Sequence, residues 1–153
     1  MQKLNEEYLH KLYELISSSP FPHHMRMKLI SISWDQAMVE LEMGNCHLQP
    51  YGIAHGGVLA TLIDTATFWA AFARLPEDAG LVNVDLKLNY LKPVQSGLLT
   101  AEGQCLRPGK TISYAEARVV DAQGDLVAHG ASTLMALPGK GFKKLDLPKF
   151  LDS

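Results

Sequence analysis

Between Val58 and Ala73 the chain carries one ionisable side chain, Asp64, among small and apolar residues. A lone carboxylate in such surroundings costs several kcal/mol unless something compensates it, either a structural partner such as a backbone amide or an Arg, or a function that needs the charge. Just upstream stands His55-Gly56-Gly57. A helix starting there presents unpaired N–H groups and the positive end of its dipole, and glycine lets a ligand come close to the backbone. The pair of features suits an anion or a developing oxyanion facing a carboxylate. Gly57 and Asp64 are seven residues apart, on one helix face but separated by about 10.5 Å along the axis. One small reacting group cannot touch both. A second copy with its helix antiparallel would set its Asp64 beside this Gly57, so the spacing favours a site shared across a two-fold axis.

The segment that positions these residues is apolar on nearly every face from Val58 to Ala73, which predicts an enclosed helix. Antiparallel strands surround it in the sequence. Met27–Trp34 and Ala37–Met43 read as a hairpin around Asp35-Gln36; Leu98–Leu106, Thr111–Val120 and Leu126–Leu137 follow, separated by turn residues. In Leu81–Leu91, strict alternation puts Val82, Val84, Leu86, Leu88 and Tyr90 on one side and Asn83, Asp85, Lys87 and Asn89 on the other. Asn5 caps an N-terminal helix over about 5–17, with Tyr8, Leu9, Leu12, Tyr13 and Ile16 at helical spacing. Pro20-Phe21-Pro22 reads as a turn, and residues 139–153 as a loop with a docked turn. An all-round apolar helix in so short a chain needs the sheet to curl about it: an α+β fold, one domain over 1–153 with its core at about 20–137.

Composition closes off several classes. The 153 residues are 47% hydrophobic with a formal net charge of −2, which suits a packed domain and gives no basic excess for nucleic acid. The apolar helix is shorter than a bilayer requires and carries a carboxylate. Cys46 and Cys105 stand far apart, and His23-His24 has no accompanying ligands at metal spacing, so neither a disulfide scaffold nor a metal centre is expected. The acidic start lacks the apolar run of a secretory signal, and the expected compartment is the cytoplasm.

With these residues in view, His55-Gly56-Gly57-Val58-Leu59-Ala60-Thr61-Leu62-Ile63-Asp64, preceded by Gly52, resembles the H-G-G-x(6)-D segment of hotdog-fold acyl-CoA thioesterases of the PaaI-like branch. The likeness continues through Asn83–Pro93, Arg107-x-Gly109-Lys110 and Asp121-x-x-Gly124-Asp125-Leu126. It implies hydrolysis of small or aromatic acyl-CoA thioesters. The Gly57 amide, beside Gly56, would polarise the carbonyl, with the partner subunit's Asp64 as nucleophile or general base and His55 shaping the turn. It also implies a homodimer, further paired into a dimer of dimers, and no cofactor beyond the CoA of the substrate. Two positions depart from the family pattern. Gln49 stands where Asn is usual, six residues before His55, and Asn83 stands where Ser or Thr is common, which alters water or acyl positioning.

Arg107 and Lys110, flanking Gly109 in a turn between strands, could meet the phosphates of CoA or simply be a solvated turn. Phe68, Trp69 and Phe72 lie in the second half of the helix, where rings either line an acyl pocket or pack the core. Two alternatives from other classes are a non-catalytic acyl-CoA sensor and a hydratase of the same fold. The hydratase arrangement pairs an Asp with a His about five residues on, where this chain has Trp69.

Overall fold

The computed structural model describes residues 2–142 and 145–152. After a two-residue strand β1 (Lys3–Leu4) comes α1 (Glu6–Ser18), whose N-cap Asn5 accepts from the Glu7 N–H at 3.0 Å. Its buried face is Tyr8, Leu9, Leu12 and Ile16. The expected turn at Pro20 is instead a short helix, α2 (Pro20–Met25). Proline is tolerated in a first turn because the N–H it lacks has no intrahelical partner there, and α2 stops at Arg26, which takes a left-handed conformation.

Strands β2 (Met27–Ser33), β3 (Gln36–Glu42), β4 (Gly80–Tyr90), β5 (Leu98–Arg107), β6 (Ile112–Val120) and β7 (Leu126–Leu137) form one antiparallel sheet in the order β2-β3-β5-β6-β7-β4. This sheet curls around α3 (Gly56–Phe72), which touches all six strands, the arrangement of a hotdog fold. Approach is closest at Gly103, where an added Cβ would lie 2.2 Å from the Ala66 carbonyl oxygen, so β5 can pass the helix only as glycine. Leu62, Ile63, Ala66 and Ala70 of α3 are fully buried, and at roughly 1.5–3 kcal/mol for a buried Leu or Ile this helix is the centre of the core.

Two expectations need correction beside the α2 turn. The alternation of β4 does not hold along its length: a bulge between Asn83 and Asp85 switches its faces, so Leu81 and Asn83 point inward before it, Leu86 and Leu88 after it, and Val82 and Val84 outward. The tail, of which 143, 144 and 153 lie outside the described residues, also carries a short strand where a loop is expected. β8 (Phe150–Leu151) pairs antiparallel with β1, and Lys149 beside it is 1% exposed. Its ammonium donates to the carbonyls of Phe72 (2.6 Å) and Leu75 (2.8 Å) and sits 3.9 Å above the Phe72 ring centroid. The Lys149 amino group thus caps the C-terminal end of α3.

Candidate active site

The loop entering α3 is built on a buried histidine absent from the sequence reading. His47 accepts the Gly44 N–H on Nδ1 (2.9 Å), and its Nε2 faces the Met25 carbonyl at 2.7 Å; its own carbonyl receives the His55 N–H at 2.8 Å. These contacts fix the approach to His55, the N-cap of α3. The His55 Nδ1 accepts the Gly57 N–H at 2.8 Å, so that amide is held by the chain's own side chain and is exposed to solvent around it. An added Cβ at Gly57 would meet the same ring nitrogen at 2.9 Å. Gln49 turns its side-chain oxygen to the Tyr51 N–H and shares with Gly56 a cavity of about 480 Å³. The Tyr90 ring, missed in the sequence, covers Gly56: a Cβ there would lie 2.9 Å from its hydroxyl.

Asp64 lies two turns on, half-buried, facing a second cavity of about 500 Å³. Among the described residues no side chain pairs with its carboxylate, and burial raises its pKa above the ordinary 3.8. Thr61, Thr65, Phe68 and Trp69 line this cavity, while Phe72 is buried in the aromatic stack behind it. Asn83 approaches Asp64 from the core side. Its Nδ2 donates to the Asp64 carbonyl at 3.3 Å and lies 3.3 Å from the Ser132 hydroxyl, which in turn is 2.9 Å from the hydroxyl of Thr67. Asn83 therefore holds the helix backbone under Asp64 rather than facing the carboxylate.

Arg107, Gly109 and Lys110 sit at the other end of α3. The Cys105 N–H donates to the Asp35 carbonyl at 2.7 Å, and the Asp35 carboxylate accepts from Arg74 at the end of α3 at 2.7 Å, which locates the β5–β6 turn there. Arg107 and Lys110 are exposed, and among the described residues neither forms an ion pair. Gly109 is a tight turn: its N–H donates to the Ser113 hydroxyl at 3.1 Å, and a Cβ would collide with the Ile112 carbonyl oxygen. One chain therefore brings Gln49, His55, Gly56 and Gly57 together at the start of α3, Asp64 and Asn83 at its middle, and the basic turn at its end.

A sheet wrapped on an apolar helix, with a glycine-rich helix start and a mid-helix carboxylate, defines a hotdog-type protein. Residues 51–128 match the model of the thioesterase superfamily, and the chain belongs to that family. It is 27% identical to 1,4-dihydroxy-2-naphthoyl-CoA hydrolase of Listeria monocytogenes, over 71% of this chain and 88% of the relative. It is 29% identical to acyl-coenzyme A thioesterase 13 of mouse, over 71% of this chain and 78% of the relative. The PaaI protein of E. coli, from the phenylacetic acid degradation operon, superposes with a TM-score of 0.81 over 92% of this chain and 100% of that one; at 20% identity this likeness shows the fold. The chain is thus a thioester hydrolase by family, and the names of the Listeria and mouse relatives place their activity on CoA thioesters. No helix among the described residues is long and apolar enough to cross a membrane.

Proposed function

We propose that the protein hydrolyses small or aromatic acyl-CoA thioesters at sites shared by two copies of the chain, Asp64 coming from one and the Gly57 amide from the other. The observation that carries this reading is Asp64 itself: the only titratable group of α3 opens, desolvated, into an apolar cavity, two turns away from the helix start on the same chain. The free edge of the sheet supports a second copy. β4 is eleven residues long, and Val84 on its outer face is 59% exposed. Such an edge is a liability unless it is paired; β4 against the β4 of a second copy would continue the sheet and set two α3 helices side by side and antiparallel.

In this arrangement the thioester carbonyl lies between Asp64 and the partner helix. Asp64 either attacks the carbonyl carbon, breaking the C–S bond to expel the CoA thiolate and leave an anhydride that water opens, or removes a proton from the water that attacks it, the tetrahedral intermediate then collapsing with loss of the CoA thiolate. The tetrahedral oxyanion takes the Gly57 N–H, which requires the His55 ring to turn aside from that amide. Gln49 and Tyr90 border the same helix end and are placed to orient the acyl group or the water. Arg107 and Lys110 offer charge to the phosphates of CoA.

The test is complementation. Asp64→Asn and Gly57→Pro each remove one half of the site and should each be inactive as homodimers. Mixed by co-refolding with random pairing, about half the dimers are mixed and carry one intact site of two, so thiol release should recover to roughly a quarter of wild type. Mixed dimers that form without recovery would refute the shared site, and an active Asp64→Asn homodimer would refute the role of Asp64.

A further inference from the structure

The cavity at Asp64 is completed by parts of the chain outside residues 51–128, the segment matching the superfamily. The sheet leaves a gap between its two edge strands, β2 and β4, through which the outer face of α3 shows. Met27 of β2 and Leu86 of β4 border that gap. Two aromatic side chains from the ends of the chain stand at its rim. Phe21, in the first turn of α2, is 56% exposed, and Phe142, just beyond the turn after β7, is 39% exposed. Apolar rings left this open on a cavity wall cost solvation free energy unless something apolar covers them.

Phe142 is held in place from both directions. It stacks on Trp69 with centroids 6.1 Å apart and planes at 21°, and meets Phe72 edge-on at 5.8 Å. The preceding Gly141 donates its N–H to the Asp78 carbonyl at 2.9 Å, and a Cβ there would come within 2.5 Å of the Glu77 carbonyl oxygen. The ring thus closes the cavity at the end nearest the C-terminus of α3, where a chain running from Asp64 past Phe68 and Trp69 would arrive.

We infer that Phe21 and Phe142 form the walls that select the acyl group, Phe142 as the stop that limits its length and Phe21 as the side that grips it. The inference rests on the hydrolase reading for its substrate and names that substrate's acyl part: an uncharged apolar group, straight-chain or ring-bearing, that fills the space between the two rings. Acyl selectivity is then set by the terminal segments, whereas the residues of the chemistry lie between them.

The experiment uses straight-chain acyl-CoA esters from four to sixteen carbons, with kcat/KM measured by thiol release for the wild type, Phe142→Ala, Phe142→Leu and Phe21→Ala. The wild type should show a break in kcat/KM at one chain length. Each newly accommodated methylene is worth about fourfold, so Phe142→Ala should move the break by two or more carbons and raise the long-to-short ratio at least tenfold. Phe142→Leu should move it less, and Phe21→Ala should weaken every length that reaches the rim. A break that stays in place in both Phe142 variants overturns the inference. A readout independent of hydrolysis accompanies it: Trp69 is one of two tryptophans, so in a Trp34→Phe background its fluorescence reports occupancy by a decyl-CoA thioether, which cannot be hydrolysed. A saturable Trp69 response that Phe142→Ala alters supports the walls even if the wild type hydrolyses none of the esters, an outcome that defeats the hydrolase reading alone. No Trp69 response at saturating thioether overturns the inference while hydrolysis still stands.

Discussion

Replacing Lys149 by Met should remove a pH dependence of stability above neutrality. The amine is buried against two carbonyls and the Phe72 ring face, and burial outweighs the pull of the Glu77 carboxylate, bringing its pKa from 10.5 down to about 7. A folded pKa below the unfolded one means that between those values the unfolded chain binds more protons, so stability rises with pH. The full span, about 3.5 in pH at 1.36 kcal/mol each, is about 5 kcal/mol. Tyr8 and Tyr13 oppose it at the upper end. Burial raises both phenols, Tyr8 to about 12, so the fold loses stability as pH climbs past 10. Burial also raises the Cys105 thiol above 9.0 and lowers stability toward pH 9.5, equally in both proteins, so over pH 7 to 9.5 Lys149 itself should contribute a gain of about 3 kcal/mol, or roughly 6–12 °C in Tm. Denaturant unfolding of wild type and Lys149→Met across that window measures it. Their difference should change by about 3 kcal/mol; a constant difference would show that Lys149 does not titrate in the fold and would refute the reasoning.

The acid limb of kcat/KM should lie above the ordinary carboxylate value of 3.8, since burial raises Asp64; a pH–rate profile decides it. Asp64→Asn should lower kcat by 10²-fold or more, while denaturant unfolding at pH 7 shows it to be more stable than wild type by about 1 kcal/mol, because the charge it removes is desolvated and unpaired. His55→Ala takes away the acceptor that caps α3 and should cost about 1 kcal/mol in unfolding assays. Its pH–rate profile should keep the wild-type shape, and a lost limb would mark His55 as a proton carrier.

Much of the architecture was legible because burial writes a period into the sequence. α3 showed itself as an apolar run with one carboxylate, and the strands as alternation bounded by Gly, Pro and Asp, all within a residue or two of their observed ends. β4 misled for a physical reason. Its bulge adds a residue without leaving any compositional mark, so the outward Val82 and Val84 looked like core while Asn83 looked like surface. The tail was unreadable because a two-residue strand has no period, and a lysine gives no sign of burial until the carbonyls of Phe72 and Leu75 are placed around it. For the site, sequence spacing was enough to separate Gly57 from Asp64. It could not reveal that His55 occupies the Gly57 amide, that Asn83 faces the helix backbone, or that Phe21 and Phe142 close the cavity, since each depends on residues brought together from distant parts of the chain.

The positions of the three groups along α3 also assign the basic turn to a subunit. Within one chain, the acyl cavity runs from Asp64 toward the C-terminal end of α3, and the Arg107–Lys110 turn lies at that same end, at the tip of the central strands. A thioester whose acyl group fills the cavity points its CoA the other way, toward the start of this α3. In an antiparallel pair that is where the partner's helix ends and where the partner's basic turn lies. The CoA phosphates should therefore meet the turn of the chain that supplies Gly57, not that of the chain that supplies Asp64. Arg107→Ala with Lys110→Ala should raise KM for CoA esters roughly tenfold at low salt, and much less for pantetheine esters, which lack the nucleotide phosphates. Mixed with Asp64→Asn chains, the double variant distinguishes the two assignments. If the turn comes from the Gly57 chain, each mixed dimer holds one site with both lesions and one with neither, and the active sites of the mixture include a fraction with wild-type KM. If it comes from the Asp64 chain, every site with an intact carboxylate in a mixed dimer keeps the raised KM, and the appearance of wild-type KM only in proportion to contaminating wild type would refute the crossed path.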